Sequence, residues 1–186
     1  MEEISIISHD DVIKIGKDFG KDEVDYFMEF GDCICETLNT GEIIRYTGIV
    51  YELCTDETVS YYRTMVDGLN TGEYVRFFYD GSLKDFSQMF SGTIHGNSYS
   101  WHENGKLSLF SNRKYGRIIF LKEWDENGIL VKEITAPSES DINEIKKYDQ
   151  FFKELKEKQD EIQQKTGKEK KSTEYDRTVA IKFNLP

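Results

Sequence analysis

Tandem β-hairpins forming an extended antiparallel sheet, in a mainly β chain, are what this sequence predicts, and three observations predict them. The first is a period of 24 residues: Gly48, Gly72 and Gly96 align, and so do Gly68, Gly92 and Gly116. Self-similarity at one period means stacked supersecondary units, none of which buries its apolar face alone. The second is punctuation. Asp80-Gly81, Asn104-Gly105 and Asn127-Gly128 hold one place in successive units, and such pairs are the strongest short-range hairpin signal. The third is texture. Runs such as Glu73 to Tyr79 (EYVRFFY) are rich in aromatic and β-branched residues and alternate between two faces.

Within each unit an outgoing strand meets the Asx-Gly pair, which predicts a two-residue type I′ turn with positive φ at both central positions. A returning run such as Ser82 to Phe90 then ends at a second turn signal, Ser91-Gly92. The first unit has Asp56-Glu57 in place of Asp-Gly, which predicts a longer or less regular turn. A partial fourth unit begins one residue early, at Ile119, with Trp124, Gly128 and Leu130 in their columns. The repeat array is assigned to residues 43–136.

Residues 1–42 are the least regular part and read as an acidic cap on the array, since terminal repeats need a modified, polar end. Glu3 to Ile7 and Val12 to Ile15 are expected as short strands. After Pro137, residues 137–186 change character. Ser138-x-x-Asp141 or Asp141-x-x-Glu144 supplies a helix start. Ile145, Tyr148, Phe152, Leu155, Gln159 and Ile162 then recur at three- and four-residue steps, predicting an amphipathic helix over about 139–165. Its stripe is expected to dock on the sheet, with a homodimer through this helix as the alternative. A solvated loop (KTGKEKK) follows, and Thr178 to Asn184 alternates as a last strand.

Alternation places Val75, Phe77 and Tyr79 on one side with Tyr51, Leu53, Tyr99 and Trp101, a core stripe. The other side carries Glu52, Cys54, Arg76, Phe78, Ser100 and His102. It is mixed, and therefore the better candidate for contacting a partner. Glu52, Arg76, Phe78 and His102 are the candidate partner-binding positions, with Phe78 as the apolar anchor that interface hot spots favour.

Formal charge is −11. A chain this acidic repels phosphate backbones, which argues against direct nucleic-acid binding, and attracts basic proteins. Cys33, Cys35 and Cys54 are an odd number without framework spacing. Cys33-x-Cys35 lacks the further ligands that structural zinc requires, so buried free thiols are expected and no metal site. His95 occupies the column of Thr71, immediately before a repeat glycine, and reads as a repeat-junction residue. No phosphate loop, nucleophile elbow or His-Glu-x-x-His arrangement occurs. The expectation is a protein that is not an enzyme and takes no cofactor. An acidic Met1-Glu2-Glu3 start and the absence of a run of about 20 apolar residues predict neither a secretory signal nor a membrane span. A reduced, cytoplasmic setting is the expectation.

The stretch Tyr46-Thr47-Gly48-Ile49-Val50-Tyr51-Glu52, and the units Trp101-His102-Glu103-Asn104-Gly105-Lys106-Leu107 and Trp124-Asp125-Glu126-Asn127-Gly128-Ile129-Leu130, resemble the MORN-variant repeat family. In particular they are similar to bacterial antitoxin and immunity proteins that carry several such repeats. The resemblance covers roughly residues 43–134. It implies a non-catalytic protein that binds and neutralises a cognate toxin, often encoded alongside it. Acidity suits a basic, nuclease-like toxin. The family also includes scaffold and accessory modules, some membrane-peripheral, and these are the alternative.

Overall fold

A computed structural model describes residues 4–21, 24–27 and 33–166. Among the described residues nine strands form one sheet, in which β1 (Lys17–Asp18) lies at one edge and eight further strands follow it in sequence order. Eight of them are consecutive along the chain: β5 (Gly48–Leu53), β6 (Val59–Val66), β7 (Leu69–Phe77), β8 (Leu83–Phe90), β9 (Thr93–Trp101), β10 (Leu107–Lys114), β11 (Arg117–Trp124) and β12 (Leu130–Ile134). Each pairs antiparallel with the next, so the repeat is a β-meander with one hairpin per 24 residues. The chain divides into two compact units at Pro137 and Ser138.

Two turn types alternate, one at each end of the sheet, and their assignment differs from the sequence expectation. Asp80-Gly81 is not a type I′ turn. Phe78 N–H donates to the Ser82 carbonyl (2.8 Å) and Gly81 N–H to the Phe78 carbonyl (2.9 Å), closing a three-residue loop. Only Gly81 is left-handed (φ 81°). Asp80 instead uses its side chain: Oδ1 accepts from Ser82 N–H (2.9 Å) and from Ser82 Oγ–H (2.6 Å). Asn104-Gly105 repeats the geometry, with Asn104 Oδ1 accepting from Lys106 N–H (3.0 Å). The first turn was expected to be irregular and is not. Cys54 and Thr58 close the same loop, and Glu57 stands in the glycine position at φ 67°. Hydrogen bonding overrides residue preference there, at the backbone cost a side chain incurs in this region. The two-residue turns with both φ positive are Asp67-Gly68, Ser91-Gly92 and Tyr115-Gly116.

Successive hairpins are also tied edge to edge. Gly68, Gly92 and Gly116 donate their N–H groups to the carbonyls of Tyr46, Asn70 and Ile94, respectively. Thr47 and Thr71 hydroxyls accept from Asp67 and Ser91 N–H. His95 follows in their column, and its ring meets Tyr115 edge-on at 4.7 Å. It is thus a junction residue, as its column implies.

One sheet face carries the row Tyr51, Tyr62, Val75, Phe86, Tyr99, Phe110, each opposite the next. All but Phe110 are buried, and with Val12, Val59 and Phe77 they form the larger core. Tyr79, expected beside Phe77, is 67 % exposed, because β7 ends at Phe77 and Tyr79 sits in the turn. The N-terminal segment covers the first hairpin from both sides. Ile4, Ile6 and Ile7 pack on the aromatic face, and Ile7 N–H donates to Tyr62 Oη (3.1 Å). Val12 to Ile15 is not a strand: α1 runs His9–Ile15, capped by Ser8, whose Oγ accepts from Asp11 N–H. Ser8-x-x-Asp11 is the same start signal as Ser138-x-x-Asp141, and a single buried Val12 replaces strand alternation. β1 (Lys17–Asp18) adds a short parallel strand beside β5. β2 (Asp25–Phe27), β3 (Cys33–Thr37) and β4 (Ile43–Arg45) form a small sheet of their own. Val24, Ile34 and Tyr46 meet Val50 and Met65 of the large sheet in a second core. The repeat sheet therefore begins at Gly48, and residues 43–45 belong to the cap.

In the second unit, α2 (Glu139–Thr166) is 28 residues long, about 42 Å at 1.5 Å per residue. Ser138 opens it: Oγ accepts from Asp141 N–H (3.1 Å) and donates to the Asp141 carboxylate (2.7 Å). The last strand expected at Thr178 to Asn184 lies outside the described residues. Among the described residues no helix is long and apolar enough to cross a membrane.

Candidate functional site

On the face opposite the aromatic row, eight strands contribute one residue each to a continuous line: Glu52, Tyr61, Arg76, Asp85, Ser100, Leu109, Glu123 and Lys132, each opposite the next. Residues directly opposite in an antiparallel sheet share a face and touch. The line is held by polar contacts. Arg76 Nε and one terminal nitrogen approach Asp85 Oδ2 at 2.9 and 2.7 Å. Ser100 Oγ donates to the other Asp85 oxygen at 2.6 Å. Tyr61 stands opposite Glu52, and burial pushes its phenol up to about 12, with Arg63 opposing and Glu52 adding to the shift. Lys132 pairs with Glu123 at 3.2 Å. Arg76 is about half exposed, while Asp85 beneath it is largely covered, so the cation is presented outward from an anchored pair.

The neighbouring line on this face runs Arg63, Tyr74, Ser87, Ser98, Ser111 and Leu121. Ser87 and Ser98 share a hydrogen bond (2.8 Å) and are buried. Arg63 donates to Tyr26 Oη (3.0 Å) and lies over the rings of Phe19, Tyr26 and Tyr61 at 5.6–5.7 Å. These contacts tie the cap to the polar face and give it a rigid, aromatic-lined end.

The four candidate residues separate into two pairs. Glu52 and Arg76 belong to the polar line, two strands apart with Tyr61 between them. Phe78 and His102 do not: each opens a three-residue turn at the sheet's end. Lys84 stands over the Phe78 ring at 5.2 Å, and His102 Nε2 lies 2.9 Å from the Trp124 carbonyl, tying the third turn to the next strand pair. Tyr61 and Asp85 were missed, although the signal was present. Residues 61, 85 and 109 form a 24-residue column like 52, 76 and 100, and hairpin pairing interleaves the two.

The same turns form an acidic rim. Asp56 and Asp80 are held below the usual carboxylate range chiefly by the Thr58 and Ser82 hydroxyls, and Asp125 chiefly by the Ile129 N–H. Cys33 and Cys35 are buried free thiols, and burial pushes that of Cys35 up, away from the reactive thiolate. Among the described residues no three His, Cys, Asp or Glu side chains converge as a metal site would require. Comparisons with protein-family models, with curated proteins and with solved structures find no match.

Proposed function

We propose that this chain is an antitoxin or immunity protein that binds a cognate toxin and blocks it sterically, without chemistry. The observation that carries the reading is the Glu52–Tyr61–Arg76–Asp85–Ser100 line. It places an arginine and a tyrosine, residue types enriched at binding hot spots, on a rigid strand scaffold whose side-chain geometry is already set. Preorganisation lowers the ordering cost of association. The net charge of −11 and the acidic turn rim favour a basic partner, such as a nuclease whose own surface must attract phosphate. Resemblance to MORN-variant antitoxins supports the same role.

The test uses the product of the adjacent reading frame as the candidate toxin. Co-expression should rescue growth, and the two proteins should co-elute on gel filtration. Removing the two charges with Glu52→Gln and Arg76→Gln, which sets no like charge against Asp85, should weaken the complex at least about tenfold, with far-UV circular dichroism and the melting temperature reporting that the sheet is intact. Failure of both rescue and co-elution would sink the antitoxin reading. A complex whose affinity the double variant leaves unchanged would place the interface elsewhere.

A further inference from the structure

We propose that Asn127 is a site of spontaneous deamidation selected by the fold, at which the side-chain amide is lost as ammonia and replaced by a carboxylate. The chain holds two copies of the tripeptide Glu-Asn-Gly, at 103–105 and 126–128, each within a three-residue turn. Glycine after asparagine leaves its amide nitrogen unshielded, since no Cβ stands over it. The Gly128 nitrogen attacks Asn127 Cγ, an N–C bond forms and the Cγ–Nδ2 bond breaks. Nδ2 departs as ammonia, taking the Gly128 amide proton, and water then opens the cyclic imide to aspartate or isoaspartate.

Local chemistry is the same at both tripeptides, and tertiary structure separates them. The backbones match: Gly105 N–H donates to the His102 carbonyl and Gly128 N–H to the Asp125 carbonyl, both at 2.9 Å, with glycine φ of 77° and 87°. The side chains do not match. Asn104 Oδ1 accepts from Lys106 N–H (3.0 Å), and its Nδ2 donates across to the Glu126 carbonyl of the next turn (2.9 Å). Asn104 Cγ can swing onto the Gly105 nitrogen only after both bonds break. At Asn127 neither restraint exists among the described residues. Asp125 Oδ1 takes the equivalent N–H, that of Ile129 (2.8 Å). β12 is the last strand of the sheet, so among the described residues no further turn offers a carbonyl. What remains beside the Asn127 amide is the Asp125 carboxylate of its own turn.

Peptide mapping by mass spectrometry of the full chain, incubated at mildly alkaline pH, tests this. The peptide holding Asn127 should gain the mass of amide-to-carboxylate exchange at least about tenfold faster than the one holding Asn104, where two side-chain hydrogen bonds must first be lost. In the urea-unfolded chain the two peptides should convert at closely similar rates, since only the shared tripeptide then governs them. Asn127→Gln should remove the fast product in the folded chain while leaving the slow one at Asn104. A folded-state rate ratio no larger than the unfolded one, faster conversion at Asn104, or an Asn127 peptide that stays unchanged while the unfolded chain converts would overturn the proposal.

Discussion

Gly68 and Gly92 occupy the same repeat column and the same turn position, with φ of 78° and 81°, yet alanine should affect them very differently. At Gly92 nothing lies within 4 Å of where a Cβ would stand. The cost there is the left-handed backbone penalty, about 1–2 kcal/mol, reduced by about 0.4–1 kcal/mol because alanine has less freedom to lose on folding. The expected net is about 0.5–1 kcal/mol. At Gly68 the same Cβ would meet Cys33 Cβ and the Ile34 carbonyl oxygen, both at 2.9 Å. These atoms belong to β3, and no flexible side-chain end is available to yield. Overpacking of this kind costs about 1–3 kcal/mol. Displacing β3 also stretches the two backbone hydrogen bonds of Ile34: Ile34 N–H to Gly68 O (2.8 Å) and Tyr46 N–H to Ile34 O (3.0 Å). Gly68→Ala should therefore destabilise by about 2–4 kcal/mol in total. Urea unfolding of the two variants, compared at a common m-value, measures the difference directly. Equal stability of the two within about 0.5 kcal/mol would refute the docking of the small sheet on the first two-residue turn.

Three further outcomes follow from the same structure. Glu57→Gly should stabilise by about 0.5–1 kcal/mol by relieving the left-handed strain of a side chain at φ 67°, read as a melting temperature a few degrees higher; a lower one contradicts the turn assignment. Val12→Ala should cost about 2–3 kcal/mol because Val12 is wholly buried, whereas Ile13→Ala, 42 % exposed, should be nearly neutral; similar losses at both would argue against α1. Tyr61 has its folded pKa raised from 10.0 to about 12 by burial, so the folded state holds its proton longer than the unfolded chain. Its contribution is fully present below pH 10 and is lost as pH rises toward 12. Denaturant midpoints measured across that window should fall less steeply in Tyr61→Phe, and an unchanged slope would contradict the burial of the phenol against Glu52.

The repeat was legible because its causes are local. A glycine that must take positive φ, an Asp or Asn that accepts from the N–H two residues on, and an alternating apolar run all act within a dozen residues. Glycine columns and strand runs therefore located every hairpin. The turn type was misread for a physical reason. Asp80-Gly81 has the composition of a two-residue type I′ turn, but with the Asp80 side chain bonding Ser82 the loop closes one residue wider. That choice depends on which strand residues pair. Tyr79 moved from the expected core to solvent through the same one-residue change.

Composition also could not show which residues become neighbours across strands. Glu52 and Arg76 stood out as polar members of one column, but Tyr61 and Asp85 join them only through the antiparallel register. α1 had its Ser8-x-x-Asp11 start in plain view, obscured because seven residues offer barely two turns of periodicity. The sequence by itself determined the hairpin period, the strand faces and the long C-terminal helix, since each rests on backbone preference and local spacing. Only the tertiary structure decided that the cap grips the first hairpin from both sides and that two repeat columns merge into one polar line. Those outcomes depend on contacts between residues far apart in the chain, whose free energy no local segment contains.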